Sequence, residues 1–186
     1  PLDPVGQAAE ATPSSVATPS PTATPASEPT PASTPEPTPE PTPEPTPVAP
    51  PEPAVPAGSG EGRRVVFIET EQRVWLIDGD GEVVRTYLAS GSLTDNLQPG
   101  TYSVFSRSED AYGIGDSGTM SWFVRFTRGP TGAAIGFHDI PVHAGAKVQT
   151  KAQLGTEQSH GCIRQRTKDA KRLWDFAPLG TTVVVV

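Results

Sequence analysis

Short runs of β-branched and aromatic residues recur through the last two thirds of this chain. The first two, at 64–69 and 73–77, spell RVVFIE and RVWLI, and the tetrapeptide DGDG at 78–81 leads into a third run at 82–88. Runs of this length and composition are typical of strands, and an Asp-Gly turn between two of them is typical of a β-hairpin. The pattern therefore predicts three strands, with a hairpin between the second and the third.

The same pattern predicts four more strands further along the chain. Each candidate is bounded by Gly, Pro or a cluster of Asp and Ser, which interrupt regular structure. These strands are expected at 100–106, 121–127, 133–138 and 181–186.

Only one segment has the apolar spacing of a helix. Ala170, Leu173, Trp174 and Ala177 fall at positions i, i+3, i+4 and i+7, and the stripe ends before a Pro at 178. Thr167 is the predicted N-cap. The expected fold is therefore mostly β, with one helix that covers a sheet.

Residues 1–62 have no such pattern. They hold 19 of the 23 prolines of the chain, and the sequence EPTP occurs three times in succession at 36–47. A segment with so few large apolar side chains cannot offset its chain entropy by burial. We therefore expect a disordered Pro/Thr/Glu-rich linker at 1–62, followed by a single domain at 63–186.

The charges divide at the same boundary. Residues 1–62 carry eight acidic and no basic residues, whereas 63–186 carry thirteen acidic and fourteen basic residues. The net charge of −7 thus comes from the linker, and a nearly neutral domain has no basic surface for nucleic acid. We expect no nucleic-acid partner.

The chain also lacks the features of a membrane segment. No apolar run approaches the ~18 residues that span a bilayer, and no signal sequence precedes the linker. The prediction is that a targeting segment, if there was one, has been removed and that this chain itself does not contact the membrane. Spacers of this composition commonly separate an export signal or anchor from a wall-associated domain, which favours an extracytoplasmic location. The alternative is an ordinary interdomain linker.

The single cysteine of the chain lies in the sequence Ser159-His160-Gly161-Cys162-Ile163-Arg164. One Cys cannot form a disulfide within the chain, so Cys162 is either a crosslinking site or a working nucleophile. A glycine precedes it and a predicted helix follows, which is a context where backbone N–H groups can stabilise negative charge. This favours nucleophilic chemistry.

All three histidines lie between residues 138 and 160, and they support two hypotheses. In the first, His138, at the end of a predicted strand, activates the Cys162 thiol. In the second, His138, His143, His160 and Cys162 form a zinc site, although their spacing matches no established zinc motif. His143 is otherwise expected to be a solvated loop residue, and His160 to pack beside the thiol.

The cysteine motif, together with the upstream Gly136-Phe137-His138, resembles the signature of the L,D-transpeptidase catalytic domain, also called the YkuD domain. The segments QPGTY at 98–102 and APLGT at 177–181 resemble further parts of that family. The resemblance covers essentially all of 63–186. It implies a mixed β-sheet sandwich with one covering helix and an enzyme of the bacterial cell wall that needs no metal or other cofactor.

The resemblance also implies roles for individual residues. Cys162 would attack the carbonyl that joins the diamino acid of a peptidoglycan tetrapeptide stem to its terminal D-alanine. His138 would be the general base and acid, oriented by the backbone carbonyl of Asp139. The remaining motif residues would bind the oxyanion and the substrate, and these are Ser159, His160, Gly161 and Arg164.

Two positions depart from the family pattern. Twenty residues separate His138 from Ser159, which is longer than the usual spacer, whereas His143 would give fifteen. We nevertheless predict that His138 is the base, because it has the Gly-aromatic-His strand context of the family. Arg164 stands where many members have Asn, although an arginine variant also occurs.

The expected partners are stem peptides, one as donor and one as acceptor, and carbapenem inhibitors that mimic a stem. An amine acceptor would give a crosslink, whereas water would make the protein an L,D-carboxypeptidase. The alternative from another class is a wall-binding or zinc-stabilised structural module. A papain-like protease is disfavoured, because that family places its Cys before its His.

Overall fold

The computed structural model describes residues 54–114 and 117–186. Most of the predicted linker, residues 1–53, therefore lies outside the described part of the chain. The described residues form eleven strands and one α-helix. In chain order these are β1 (Arg64–Ile68), β2 (Arg73–Ile77), β3 (Val83–Leu88), β4 (Gly100–Ser103), β5 (Ser106–Tyr112), β6 (Thr119–Arg128), β7 (Ala134–Asp139), β8 (Val142–His143), β9 (Ala146–Lys147), β10 (Ile163–Gln165), α1 (Thr167–Phe176) and β11 (Thr182–Val185).

The first sheet has the order β3-β2-β1-β11-β4. Strand β1 lies at its centre, antiparallel to β2 and parallel to β11. All five residues of β1 are buried, because Val65 and Phe67 point to one face of the sheet while Val66 and Ile68 point to the other. Such a near-continuous apolar run is typical of a strand covered on both faces.

The second sheet has the order β10-β7-β6-β8-β9, and β5 also pairs with β6. Strand β7 lies between β6, which is antiparallel, and β10, which is parallel. In this register Arg164 lies opposite His138, and Gly136 lies opposite Arg125. Side chains of residues paired in this way share a face of the sheet.

The main hydrophobic core lies between the two sheets. Phe67 of β1 meets Phe137 of β7 edge to face, with ring centroids 6.5 Å apart. Helix α1 packs on β6 and β7 and adds Leu173 and Phe176 to this core. Burial of one such large side chain contributes about 1.5–3 kcal/mol. No helix among the described residues is both long and apolar enough to cross a membrane.

The prediction of a mostly β fold with one helix is confirmed, with corrections to its elements. The strand predicted at 100–106 is two strands, because β4 ends at Ser103 and β5 begins at Ser106. Strands β5, β8, β9 and β10 were not predicted. The sequence of β5, SRSEDAY, lacks apolar alternation because this strand pairs only with β6 and is largely exposed.

Two predictions about the helix are wrong. Arg166, not Thr167, is the N-cap residue, and the Thr167 hydroxyl instead donates to the Asp139 carboxylate at 3.0 Å. Cys162 does not immediately precede the helix, because β10 comes between them. The backbone N–H groups near the thiol therefore belong to a loop and a strand, not to a helix N-terminus.

Residues 54–62, which the sequence assigns to the linker, contact the first sheet. Val55 packs against a second apolar cluster that includes Trp75 and Val66. Ser59 is buried, and its hydroxyl accepts a hydrogen bond from the Arg64 guanidinium at 3.3 Å.

Candidate active site

A pocket of about 490 Å³ lies on the face of the second sheet that points away from the main core. It brings together all six residues that the sequence analysis placed in the site. These are His138, Ser159, His160, Gly161, Cys162 and Arg164.

The loop that carries Cys162 is held by its own side chains and backbone. The Ser159 hydroxyl donates to the Cys162 carbonyl at 2.5 Å and accepts from the Gly161 N–H at 3.1 Å. Gly161 has φ +148°, and a side chain there would come within 3.2 Å of Ile135. Since few residues other than Gly adopt this backbone conformation, the sequence Ser-His-Gly-Cys sets the position of the thiol.

His138 lies at the end of β7 and is buried. Its Nδ1 is 2.5 Å from the carbonyl oxygen of Asp139. A carbonyl can only accept, so Nδ1 carries the proton and Nε2 of the neutral ring has a free lone pair. The expected orientation of His138 by the Asp139 backbone is therefore present in the geometry. A base in this tautomer can receive a proton at Nε2.

The burial of the site controls the charge of both reactive groups. The pKa of the His138 imidazole falls from 6.5 to about 4, mainly because of burial, with a smaller lowering by the nearby Arg164 and Arg125 and an opposing effect of the hydrogen bond to the Asp139 carbonyl. Burial also raises the pKa of the Cys162 thiol, although a hydrogen bond from Gly136 and the two arginines oppose this. At neutral pH the resting site therefore holds a thiol and a neutral imidazole.

The Asp139 side chain is part of the support for the site, which the sequence analysis did not require. Its carboxylate accepts from the Ser121 N–H at 2.9 Å, from Lys147 at 3.2 Å and from the Thr167 hydroxyl at 3.0 Å. These contacts tie the end of β7 to β6, β9 and α1. They fix the backbone carbonyl that orients His138.

Two other residues of the site were missed. Asn96 donates to the His160 carbonyl at 2.9 Å and so braces the cysteine loop. Arg125 of β6 lies in the pocket wall, with its guanidinium 4.0 Å from the centroid of the Phe123 ring. A lone arginine within a strand pattern is indistinguishable from a surface residue in the sequence. Its pairing with Gly136 is the feature that places it in the site.

The zinc hypothesis does not agree with this geometry. His143 is exposed in β8, within a two-stranded β8–β9 hairpin where a loop was expected, and it does not line the pocket. Across residues 54–114 and 117–186, no three His, Cys, Asp or Glu side chains lie close enough together to hold a metal.

Comparison with known proteins gives the same family for most of the domain. A family model for the L,D-transpeptidase catalytic domain, YkuD, matches residues 62–185. The YciB protein of Bacillus subtilis (strain 168), provisionally named an L,D-transpeptidase, is 32% identical over 122 residues. That alignment covers 62% of this chain and 61% of YciB, so the chain spans less than two thirds of this relative.

Solved structures share the fold at lower sequence identity. An L,D-transpeptidase from Mycobacterium smegmatis is 22% identical, with a TM-score of 0.54 over 68% of this chain and 59% of that one. The transpeptidase LdtMt1, solved in complex with imipenem, is 22% identical, with a TM-score of 0.52 over 68% of this chain and 60% of that one. At these identities the similarity establishes the two-sheet fold.

Proposed function

The chain belongs to the YkuD family of L,D-transpeptidase catalytic domains, and from this premise we propose that it crosslinks peptidoglycan through a Cys162 thioester. The donor is a tetrapeptide stem, cleaved between its diamino acid and the terminal D-alanine. The observation that supports this proposal most directly is the shared pocket of Cys162 and a buried, oriented His138.

The first half of the reaction begins from the neutral pair. The Cys162 sulfur attacks the carbonyl carbon while its proton moves to Nε2 of His138. The C–N bond then breaks, the proton passes from His138 to the amine of D-alanine, and a thioester remains. Because the thiol pKa is raised and the imidazole pKa is about 4, proton transfer accompanies the attack rather than preceding it.

The oxyanion that forms during the attack needs backbone donors. The Gly161 N–H is already bonded to the Ser159 hydroxyl, so it is not free for this role. The N–H groups of His160 and Cys162 have no acceptor among the residues that the structure describes. We assign the oxyanion site to these two groups, with Ser159 and Gly161 holding the loop in shape.

The second half of the reaction regenerates the thiol. An amine of a neighbouring stem attacks the thioester, gives a proton to His138 and forms the new amide bond, and the sulfur leaves with a proton from His138. Water in place of the amine gives the hydrolytic product of an L,D-carboxypeptidase. Arg164 has its guanidinium held by the Gln158 carbonyl at 2.8 Å, and its positive charge stabilises the negative charge that develops on the sulfur as the C–S bond breaks.

The cellular location of the protein follows from the proposed substrate. Peptidoglycan lies outside the cytoplasm, so we infer an extracytoplasmic, wall-associated protein. In this proposal residues 1–53 are a spacer that gives the domain reach from an anchor, since a Pro-rich chain extends by about 3.1 Å per residue.

Mass analysis of the products from a tetrapeptide-bearing muropeptide tests the activity. We expect release of D-alanine and a crosslinked dimer with the wild-type protein, and neither product with a folded Cys162→Ala variant. Products from that variant would rule out the nucleophile. Stoichiometric metal together with no product from the wild type would favour the structural module.

A carbapenem provides an independent test, since a related structure contains imipenem. Imipenem should acylate the domain once, and peptide mapping should place the adduct on Cys162, because attack needs both the thiol and the oxyanion site. An adduct of the same mass on Cys162→Ala would show that imipenem reacts elsewhere.

A further inference from the structure

The pocket around Cys162 has an unbalanced charge. Apart from histidines, its charged lining residues in the described chain are two arginines, Arg125 and Arg164, and no Asp or Glu lines it. Both arginines are only partly exposed, and burial lowers the pKa of each, yet an arginine stays protonated in proteins. Partly buried positive charge without a carboxylate partner is costly unless a ligand supplies the anion.

Arg125 and Arg164 both donate through Nη1 alone and so both have unused donors, but Arg125 is the one whose hydrogen-bond partners are only hydroxyls. Its Nη1 donates to the hydroxyls of Ser108 at 2.9 Å and Ser106 at 3.3 Å, and its guanidinium stacks on Phe123. These partners fix the side chain but do not neutralise it. Its Nε and Nη2 have no acceptor in residues 54–114 and 117–186. Neither atom is fully buried, so both are accessible to a ligand in the pocket.

The register of the second sheet points Arg125 toward the reacting groups. Arg125 lies opposite Gly136, and His138 is two residues further along β7, so Arg125 and His138 lie on the same face of the sheet and both line the pocket. The Cys162 thiol donates to the carbonyl of Ala134, the first residue of β7, at 3.8 Å. A side chain at Gly136 would clash with the Val124 carbonyl at 2.1 Å, so only glycine fits where β7 pairs with Arg125 of β6.

The proposed substrate carries an anion at a matching position. The carboxylate of the terminal D-alanine is three covalent bonds from the scissile carbonyl carbon, hence at most about 4 Å away. When Cys162 contacts that carbon, the carboxylate must therefore lie within the same small pocket. A guanidinium fork with two unused donors suits a carboxylate, which accepts two parallel hydrogen bonds.

We propose that Arg125 binds the C-terminal carboxylate of the leaving D-alanine and thereby selects stems that end in a free D-alanine. The proposal rests on the proposed function, because it assigns a part of that substrate to this arginine. Arg125 is then a specificity residue that touches the leaving group. Stems whose terminal carboxylate is blocked lose this contact.

Binding of two synthetic stem tetrapeptides to the Cys162→Ala protein tests the proposal without turnover. One peptide ends in D-alanine and the other in D-alaninamide. The acid should bind at least about tenfold more tightly than the amide, the effect of a charge-assisted hydrogen bond, and Arg125→Gln should remove this preference. Arg125→Lys should retain part of it, since it keeps the charge but loses the fork.

Arg128→Gln is the matched control, because Arg128 lies on the same strand but outside the pocket of Cys162. It should leave the preference for the acid unchanged. The proposal is overturned if the wild-type pocket binds both peptides equally, or if Arg125→Gln weakens acid and amide alike while its thermal unfolding is normal. The latter result would mean that Arg125 contacts a part of the peptide other than its terminal carboxylate.

Turnover in the Cys162-containing protein separates this proposal from the proposed function. Release of D-alanine by both the wild type and Arg125→Gln, with an unchanged acid-to-amide ratio of kcat/KM, would refute the role of Arg125 and keep the transpeptidase. Absence of release from the wild type would refute the transpeptidase, and the binding measurements would still decide whether Arg125 recognises the carboxylate.

Discussion

Strands β1 and β7 lie inside their respective sheets, each paired on both sides, and they use their outer faces for different purposes. Both send apolar side chains into the shared core, namely Phe67 from β1 and Phe137 from β7. On its other face β1 buries Val66 and Ile68 in a second apolar cluster, whereas β7 places His138 at the pocket.

This difference shows that placing a catalytic group on a buried strand face lowers the stability of the fold. The outer face of β1 adds apolar burial, which stabilises the protein. The corresponding face of β7 instead buries an imidazole whose pKa falls to about 4, which means that the folded protein disfavours its charged form. Substitutions on β1 should therefore change stability, and substitutions on the pocket face of β7 should change activity.

The largest expected effect is at His138. Because a positioned acid and base contributes about 10²- to 10⁴-fold, His138→Ala should lower kcat/KM for D-alanine release by that factor. The matched variant His143→Ala removes an exposed imidazole outside the pocket and should change the rate little. If the two effects were reversed, the spacing of the family motif would be the better guide to the base.

Shortening a buried side chain on β1 should instead lower stability and leave activity unchanged. Phe67 is fully buried between the sheets, so Phe67→Ala should lower the free energy of unfolding by about 3–5 kcal/mol. Val84→Ala, on the exposed side of β3, should cost under about 0.5 kcal/mol. Denaturant unfolding gives both values. The comparison fails if Phe67→Ala changes KM for the stem peptide at a temperature where it stays folded.

The pH dependence of stability should reveal the buried imidazole. The unfolded state binds a proton near pH 6.5 and the native His138 only near pH 4, so stability falls as the pH drops through this window. Between these two pH values the free energy of unfolding should fall by about 3 kcal/mol because of His138. His138→Gln should lose this part of the pH dependence in chemical unfolding, and His143→Gln should keep it. Identical pH profiles for wild type and His138→Gln would contradict the lowered pKa.

The smallest effects concern the linker and the segment that follows it. Removal of residues 1–53 should leave both unfolding and D-alanine release from small peptides unchanged, because their composition predicts no packed structure. Removal of residues 1–60 should cost about 1 kcal/mol, since Arg64 loses its bond to Ser59 and Val55 no longer covers the second cluster. A loss of activity on the shorter truncation would mean that the linker takes part in the site.

The elements with apolar periodicity could be predicted from the sequence, and polar or very short elements could not. Strand β1 has the apolar sequence RVVFI, which predicts a buried strand. Strand β5 is polar because one side of it is open to solvent, and β10 has only three residues, so neither has a recognisable pattern. The Ser159–Cys162 motif predicted the site through its family resemblance. Arg125 and the Asp139 side chain escaped prediction because their roles depend on strand pairing and on contacts with three other elements.

The parallel pairing of β1 with β11 has a consequence for how the protein is made. The two strands come from opposite ends of the domain, with Arg64 beside Thr182, and β11 also pairs with β4. The first sheet therefore stays open until the last strand has been synthesised, and such distant pairing slows folding. The domain therefore completes the pairing of its central strand only after nearly all of residues 64–182 have been synthesised.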